Sequence, residues 1–125
     1  MPVEVMRYRL SIPAQLCMML RGSPVGKIKS ELKKAERYNL ELDGTALEAH
    51  YLAQGDITDL VDSLIFAQEN GMKLSPMRAM AQQFILMHQG EIKLRDKLNA
   101  LKGAGISDLD SYLTKESIQA ERENR

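Results

Sequence analysis

The chain is predicted to be all-α, built as tandem helical hairpins with a period of about 32–35 residues, which makes either a short α-solenoid-like array or a compact helical bundle. Three features of the sequence point there. Cap residues recur at a fixed spacing, single apolar stripes follow with helical period, and the composition favours helix. Ser11, Asp43, Ser75 and Ser107 each follow an aliphatic residue, and consecutive members stand 32 residues apart. Ser and Asp cap helices because their side-chain oxygen accepts from an orphan amide of the first turn. Pro13 and Pro76 sit at the start of the first and third copies, where a missing amide proton costs nothing.

The residues before the caps repeat as well: YRLS (8–11), LELD (40–43) and MKLS (72–75), with a degenerate AGIS (104–107). Each of the first three reads as a short extended linker with one side buried. Upstream lie the stripes Ile28–Leu32–Ala35, Leu60–Leu64–Ala67 and Leu94–Leu98–Leu101, spaced i, i+4, i+7. Each marks one buried helix face. Asn70-Gly71 and Gly103-Ala104-Gly105 supply stops. Helices are expected near 12–21, 25–38, 44–54, 57–70, 76–88, 91–102 and 108–120. Residues 1–120 are expected to form a single helical repeat domain, and the charged end 121–125 to fray.

The composition agrees. Hydrophobic residues make up 44% and aromatics 5%, without Trp, so eight Met and the aliphatics are expected to fill the core. Unbranched side chains lose little rotamer freedom in a helix. The single cysteine, Cys17, excludes an internal disulfide and fits a reducing, cytoplasmic setting. No apolar run approaches the roughly 20 residues of a membrane span, and the N-terminus has no signal-peptide apolar region. Net charge is zero, yet the charges are sorted: +5 over residues 1–37, −7 over 38–70, +4 over 71–102 and −2 over 103–125. Such alternation suits layers that neutralise each other within one molecule or between copies.

Nothing in the sequence forms a reaction centre. His50 and His88 have no ligand partners at metal-binding spacing, so both are read as structural or surface residues. Cys17, in the apolar run AQLCMML, is read as buried and inert. LRGSPVGK departs from phosphate-loop spacing, although the helix start at Ser23-Pro24 could hold an anion weakly. Asp56 is read as a cap, with Asp59 and Asp62 as charges matched to the helix dipole. The expectation is therefore no enzyme activity, no catalytic residues, no metal, no cofactor and no small-molecule substrate. The main surface feature is basic: Lys29, Lys33 and Arg37 at i, i+4, i+8, with Lys34 beside them. Like charges so placed repel, and an anionic partner would relieve them. Glu31 and Glu36 dilute the field, and without aromatic interleaving the pattern disfavours nucleic acid.

One resemblance narrows the reading. LEAHYLAQGDITDLVDSLIFAQENGMKL (47–74) is similar to a segment of the bacterial flotillin-like membrane-scaffold proteins. It shares the L-E-x-H-Y-L-A-x-G core, followed by a helix with V-x-x-L-I-x-A-Q. Met19-Leu20-Arg21 and Lys34-Ala35 resemble that family's basic segment and first lysine–alanine helix. The resemblance is specific over about residues 40–70 and extends loosely over 19–85; residues 1–9 and 93–125 lie outside it. In the family this segment stands between a membrane-inserted anchor and a band-shaped core domain. The resemblance thus implies a non-catalytic assembly role at the inner face of the bacterial membrane, with a protein partner or self-association and contact with the membrane surface. The anchor, core domain and long coiled-coil tail have no counterpart in this sequence. The alternative reading from the residues is a peripheral binder of anionic surfaces, lipid or nucleic acid, through Lys29, Lys33, Lys34 and Arg37.

Overall fold

The computed structural model describes residues 10–90 and 93–123. They form seven helices: α1 (Ile12–Leu20), α2 (Val25–Arg37), α3 (Gly44–Leu52), α4 (Ile57–Glu69), α5 (Pro76–His88), α6 (Leu94–Gly103) and α7 (Leu109–Glu123). There is no strand among the described residues, only one isolated bridge between linkers. The fold class and the helix order are those the repeat predicts.

Local chemistry starts the helices as expected at three of the four repeated caps. Ser11 accepts from the Ala14 amide, Asp43 from Ala46 and Ser75 from Arg78. Asp56 accepts from Asp59 and starts α4. The fourth cap is corrected by one residue: Asp108, not Ser107, accepts from the Ser111 amide. The reason is a contact between linkers. The Lys73 amide donates to the Ser107 carbonyl, and the Lys73 carbonyl accepts from the Leu109 and Asp110 amides. This single parallel bridge, Lys73 opposite Asp108, fixes Ser107 in the linker and moves the helix start one residue on.

The helices also end alike. The second residue past each of the first six is left-handed: Gly22, Asn39, Gln54, Gly71, Gly90 and Gly105, with φ between 53° and 79°. Each of these amides donates to the carbonyl three residues back. The next residue then donates five residues back: Ser23 to Met18, Leu40 to Ala35, Gly55 to His50, Met72 to Ala67 and Ile106 to Leu101. These are Schellman terminations, which satisfy carbonyls that a helix end would leave orphaned. The residue receiving the longer bond is buried in each of these five cases. The terminations thus fold the next linker or turn back over the core.

The chain forms two compact units, Met1–Val61 and Asp62–Arg125, divided within α4. In the first, α2 packs on α1 and α3, and its stripe Ile28, Leu32 and Ala35 is fully buried. Met18, Leu40, Leu42, Leu47, Ile57 and Leu60 complete that core. In the second, α5 packs on α6 and α7. Leu64 and Ala67, then Leu94, Leu98 and Leu101, are buried there as their spacing predicts, joined by Leu109 and Leu113. Burying each such leucine stabilises by about 1.5–3 kcal/mol. The linkers alternate as expected, with Leu40, Leu42 and Met72 buried and Glu41 and Lys73 exposed.

Two expectations about the core are corrected. Cys17 is exposed, because α1 turns only Met18 inward and the thiol lies about 100° further round the helix. The methionines also do not all fill the core. Met18 and Met72 are buried, but Met19, Met77 and Met87 are exposed.

Candidate functional site

The first unit is locked by a polar clamp. Arg21, the residue that ends α1, donates through Nε to Glu48 Oε2 at 3.0 Å and through Nη2 to Oε1 at 2.5 Å. The Ser23 hydroxyl donates to the same Oε2 at 2.7 Å. Glu48 lies in the middle of α3 and is buried, while Arg21 is half-exposed. A planar guanidinium matches a carboxylate with two parallel bonds, so the pair fixes orientation as well as charge. The Arg21 bond holds the Glu48 carboxyl below the usual carboxylate range, against the opposing effect of burial and with help from Ser23. The Arg21 guanidinium is correspondingly raised by Glu48. The Ser23 hydroxyl, at the helix start that the sequence allows to hold an anion only weakly, is thus taken by an anion of the chain itself.

A second buried carboxylate, Glu31, holds α2 to α4. It accepts from the Thr58 hydroxyl at 3.2 Å through Oε1. Lys34 Nζ lies 3.0 Å from its other oxygen, an ion pair whose angles fall short of a hydrogen bond. This placement alters the reading of the basic helix. Lys29, Lys33 and Arg37 are all exposed, one turn apart and turned away from Ile28, Leu32 and Ala35. Lys34 is half-buried against Glu31. Since Glu31 is withdrawn into the core, it does not dilute the exposed field as the sequence implied, and only Glu36 does so at the edge.

His50 is buried. It occupies the buried position that Met18, Ala35, Ala67 and Leu101 occupy at other helix ends, and its ring lies across Gly55 so closely that a β-carbon there would overlap it. No group of three metal-ligating side chains gathers among the described residues. No described helix is long and apolar enough to cross a membrane.

Two surfaces remain that the core does not explain. On α1, Ile12 (75%), Leu16 (55%), Met19 (63%) and Leu20 (88%) are exposed. On α5, Met77 (81%), Met87 (48%) and Ile85 (38%) are exposed, with Met80 and Phe84 half-buried between them. Neither was legible in the sequence, because periodicity marks apolar faces without saying which of them find a cover.

Over residues 3–90, which include the Arg21–Glu48 clamp and the His50–Gly55 contact, the chain matches the family model described as Flotillin-like protein FloA. The chain belongs to the FloA flotillin-like family. It is 44% identical over 61 residues to the Flotillin-like protein FloA of Alkaliphilus metalliredigens (strain QYMF), covering 49% of this chain and 18% of that protein. It is 43% identical over 65 residues to the Flotillin-like protein FloA of Dictyoglomus turgidum (strain DSM 6724 / Z-1310), covering 51% of this chain and 20% of that protein. The matched segment thus spans about a fifth of the length of these FloA relatives. No solved structure matches the chain. FloA membership supports a scaffold-type role at the level of the family. The resemblance read from LEAHYLAQG and the helix after it lies within the matched FloA region.

Proposed function

We propose that the chain is a non-catalytic assembly module of the flotillin-like family, and that it associates with further copies of itself through α5. The observation that carries this is the outer apolar arc of α5, with exposed Met77 at its middle, exposed Ile85 at one edge and exposed Met87 at the other, and half-buried Met80 and Phe84 between Met77 and Met87. A cluster of large apolar side chains on one helix face is characteristic of an interaction surface. Methionine suits that role because its unbranched, polarizable side chain adapts to the partner it meets. The buried polar groups support a structural reading. Buried Glu48 is engaged by Arg21 and Ser23, buried Glu31 by Thr58 and Lys34, and half-buried Asp110 by Ser75, which are contacts that hold helices together. On this reading residues 1–120 act as one module. The place the family resemblance implies for it is the cytoplasmic side of the bacterial membrane.

Sedimentation velocity over a range of concentrations tests the proposal. The wild type should form oligomers that persist in salt, since apolar contact is not screened. The double variant Met77→Lys/Met87→Lys should stay helical and sediment as a monomer. A wild type that remains monomeric at high concentration would refute self-association through this face. So would a double variant that assembles as well as the wild type.

A further inference from the structure

The linkers 40–43 and 72–75 stand in equivalent places before α3 and α5, and Glu41 precedes the cap Asp43 as Lys73 precedes the cap Ser75. Their backbones are used differently. The Lys73 amide donates to the Ser107 carbonyl at 2.7 Å, and the Lys73 carbonyl accepts from the Leu109 and Asp110 amides at 2.9 and 3.2 Å. The chain thus lays a parallel segment of its own along Lys73, with Asp108 opposite. Among the described residues, neither the amide nor the carbonyl of Glu41 has a partner. Within this linker the Leu42 amide donates to the Leu40 carbonyl at 2.9 Å. In extended chain the amide and carbonyl of one residue share an edge, and those of its neighbours point the other way. The inner bond therefore leaves the Glu41 edge open. In repeat register the segment to pair with Glu41 is the start of α5. There Pro76 stands in the place of Leu109, with no amide to donate.

The surroundings of Glu41 leave room for an occupant. An open groove of about 420 Å³ runs along Glu41, Leu42, Asp43 and Ala46, within the rough 300–1,000 Å³ range of ligand clefts. Glu41 and Asp43 are exposed on either side of buried Leu42. We propose that the linker 40–43 is a pairing edge for an extended basic segment of a partner protein. The segment adds in parallel, exchanges both backbone bonds with Glu41, and sets its cations against the Glu41 and Asp43 carboxylates. This is strand addition, in which main-chain bonds supply affinity and side chains select the partner. Charge complementarity selects a segment with Lys or Arg at alternate positions, since opposite charges across a strand pair attract. Two such linkers from separate copies would set like charges opposite each other. The edge shares no residue with the α5 face proposed for assembly, so each proposal can fail without the other.

A short acetylated and amidated peptide of alternating lysine and valine serves as the probe, titrated into the full chain labelled for amide resonances. In a parallel pair the residues flanking the one opposite Glu41 donate and accept, as Ser107 and Leu109 flank Asp108. With lysine opposite Glu41, those flanking residues are the valines. At about 0.15 M salt, the peptide should bind, move the Glu41 amide resonance and slow that amide's exchange with solvent. N-methylation of the valine amides should weaken binding roughly tenfold or more, through the lost main-chain bonds. N-methylation of the lysine amides, on the other edge, should leave binding as it was. Glu41→Gln/Asp43→Ser keeps a capping side chain on α3 and should weaken binding several-fold while flattening its salt dependence. Met77→Lys/Met87→Lys should leave peptide binding unchanged. The proposal is overturned if the peptide does not bind, if binding leaves the Glu41 amide unmoved, or if both methylated peptides bind like the parent. A peptide with glutamate in place of lysine that binds equally well overturns it too. So does a Glu41 amide that becomes protected when the protein alone is concentrated, which would assign the edge to a second copy.

Discussion

The guanidinium of Arg21 holds both oxygens of the buried Glu48 carboxylate, and so ties the C-cap of α1 to the middle of α3. The two residues stand 27 positions apart in the chain. Ser23, one residue past the left-handed Gly22, adds a third bond to the same carboxylate. The termination of α1 therefore does two things. It turns the chain into α2, and it delivers a cation and a hydroxyl to one buried anion.

This bond should be visible in the pH dependence of stability. Glu48 is held below the usual carboxylate range in the folded chain, first by Arg21. A carboxyl with a depressed folded value contributes stability that is fully present above its unfolded value of about 4.3. The contribution is lost as the pH falls through the folded value. Glu48→Gln removes it, so the stability gap between wild type and Glu48→Gln should be widest near neutrality and narrow below about pH 4. Chemical denaturation across that range measures the gap. A gap that stays constant into strong acid would show that the charge of Glu48 does not matter to the clamp.

The ring of His50 lies over Gly55. Gly55 has no positive φ, so a substitution there is opposed by space alone. Gly55→Ala should destabilise by about 1–3 kcal/mol, the usual cost of overpacking. Most of that cost should vanish when His50 is also changed to Ala, because the clash partner is gone. A double-mutant cycle by urea denaturation checks this. Strictly additive effects would mean that the ring is not what fills the site.

Gln54 ends α3 in a left-handed conformation, with φ of 71°. Four of the other five terminations place glycine at this position. Left-handed backbone costs an L-residue roughly 1–2 kcal/mol, partly offset here by the lower chain entropy of Gln in the unfolded state. Gln54→Gly should therefore raise stability by about 0.5–1 kcal/mol, read from the urea midpoint. A loss of stability would show that the Gln54 side chain contributes more than its backbone strain.

Ser75 caps α5 and also meets α7. Its hydroxyl accepts from the Arg78 amide and donates to Asp110 Oδ1, which also accepts from the Ser75 amide. Ser75→Ala should cost about 0.5–2 kcal/mol through the lost cap. Lys73→Ala should cost little, since the Lys73 bridge runs through its backbone and its side chain is exposed. Thermal unfolding of the two variants separates these effects, and equal losses would argue against this arrangement of the linker.

The helices and their core faces were legible because they depend on local rules. Caps, single stripes and Asn-Gly stops act within a few residues, and Ile28, Leu64 and Leu98 lie where their spacing puts them. The rest depends on contacts across the chain. Ser107 and Asp108 are both good caps, and only the pairing of Lys73 with the fourth linker selects between them. Gln54 has no intrinsic preference for left-handed backbone, so α3 gave no stop signal there. Cys17 sits in an apolar run that composition would bury, but nothing in a run of residues states that only Met18 finds a cover. The basic helix was legible as a stripe. Its strength was understated, because the burial of Glu31 depends on Thr58, 27 residues away.

If copies of this chain meet through α5, a distance measured between copies will show it. Cys17→Ser removes the native thiol, and Ala81→Cys then carries a spin label. Ala81 is exposed on α5, one turn from both Met77 and Ile85. A control carries its label through Lys33→Cys on α2 instead. Helices packed face to face lie about 8–10 Å apart, so labels at position 81 should give an intermolecular distance on the order of 20 Å. The expected result is that short distance from Ala81→Cys, its loss on adding Met77→Lys/Met87→Lys, and no such distance from Lys33→Cys. A short distance from Lys33→Cys with none from Ala81→Cys would mean that copies meet through another face and that α5 is not the assembly surface.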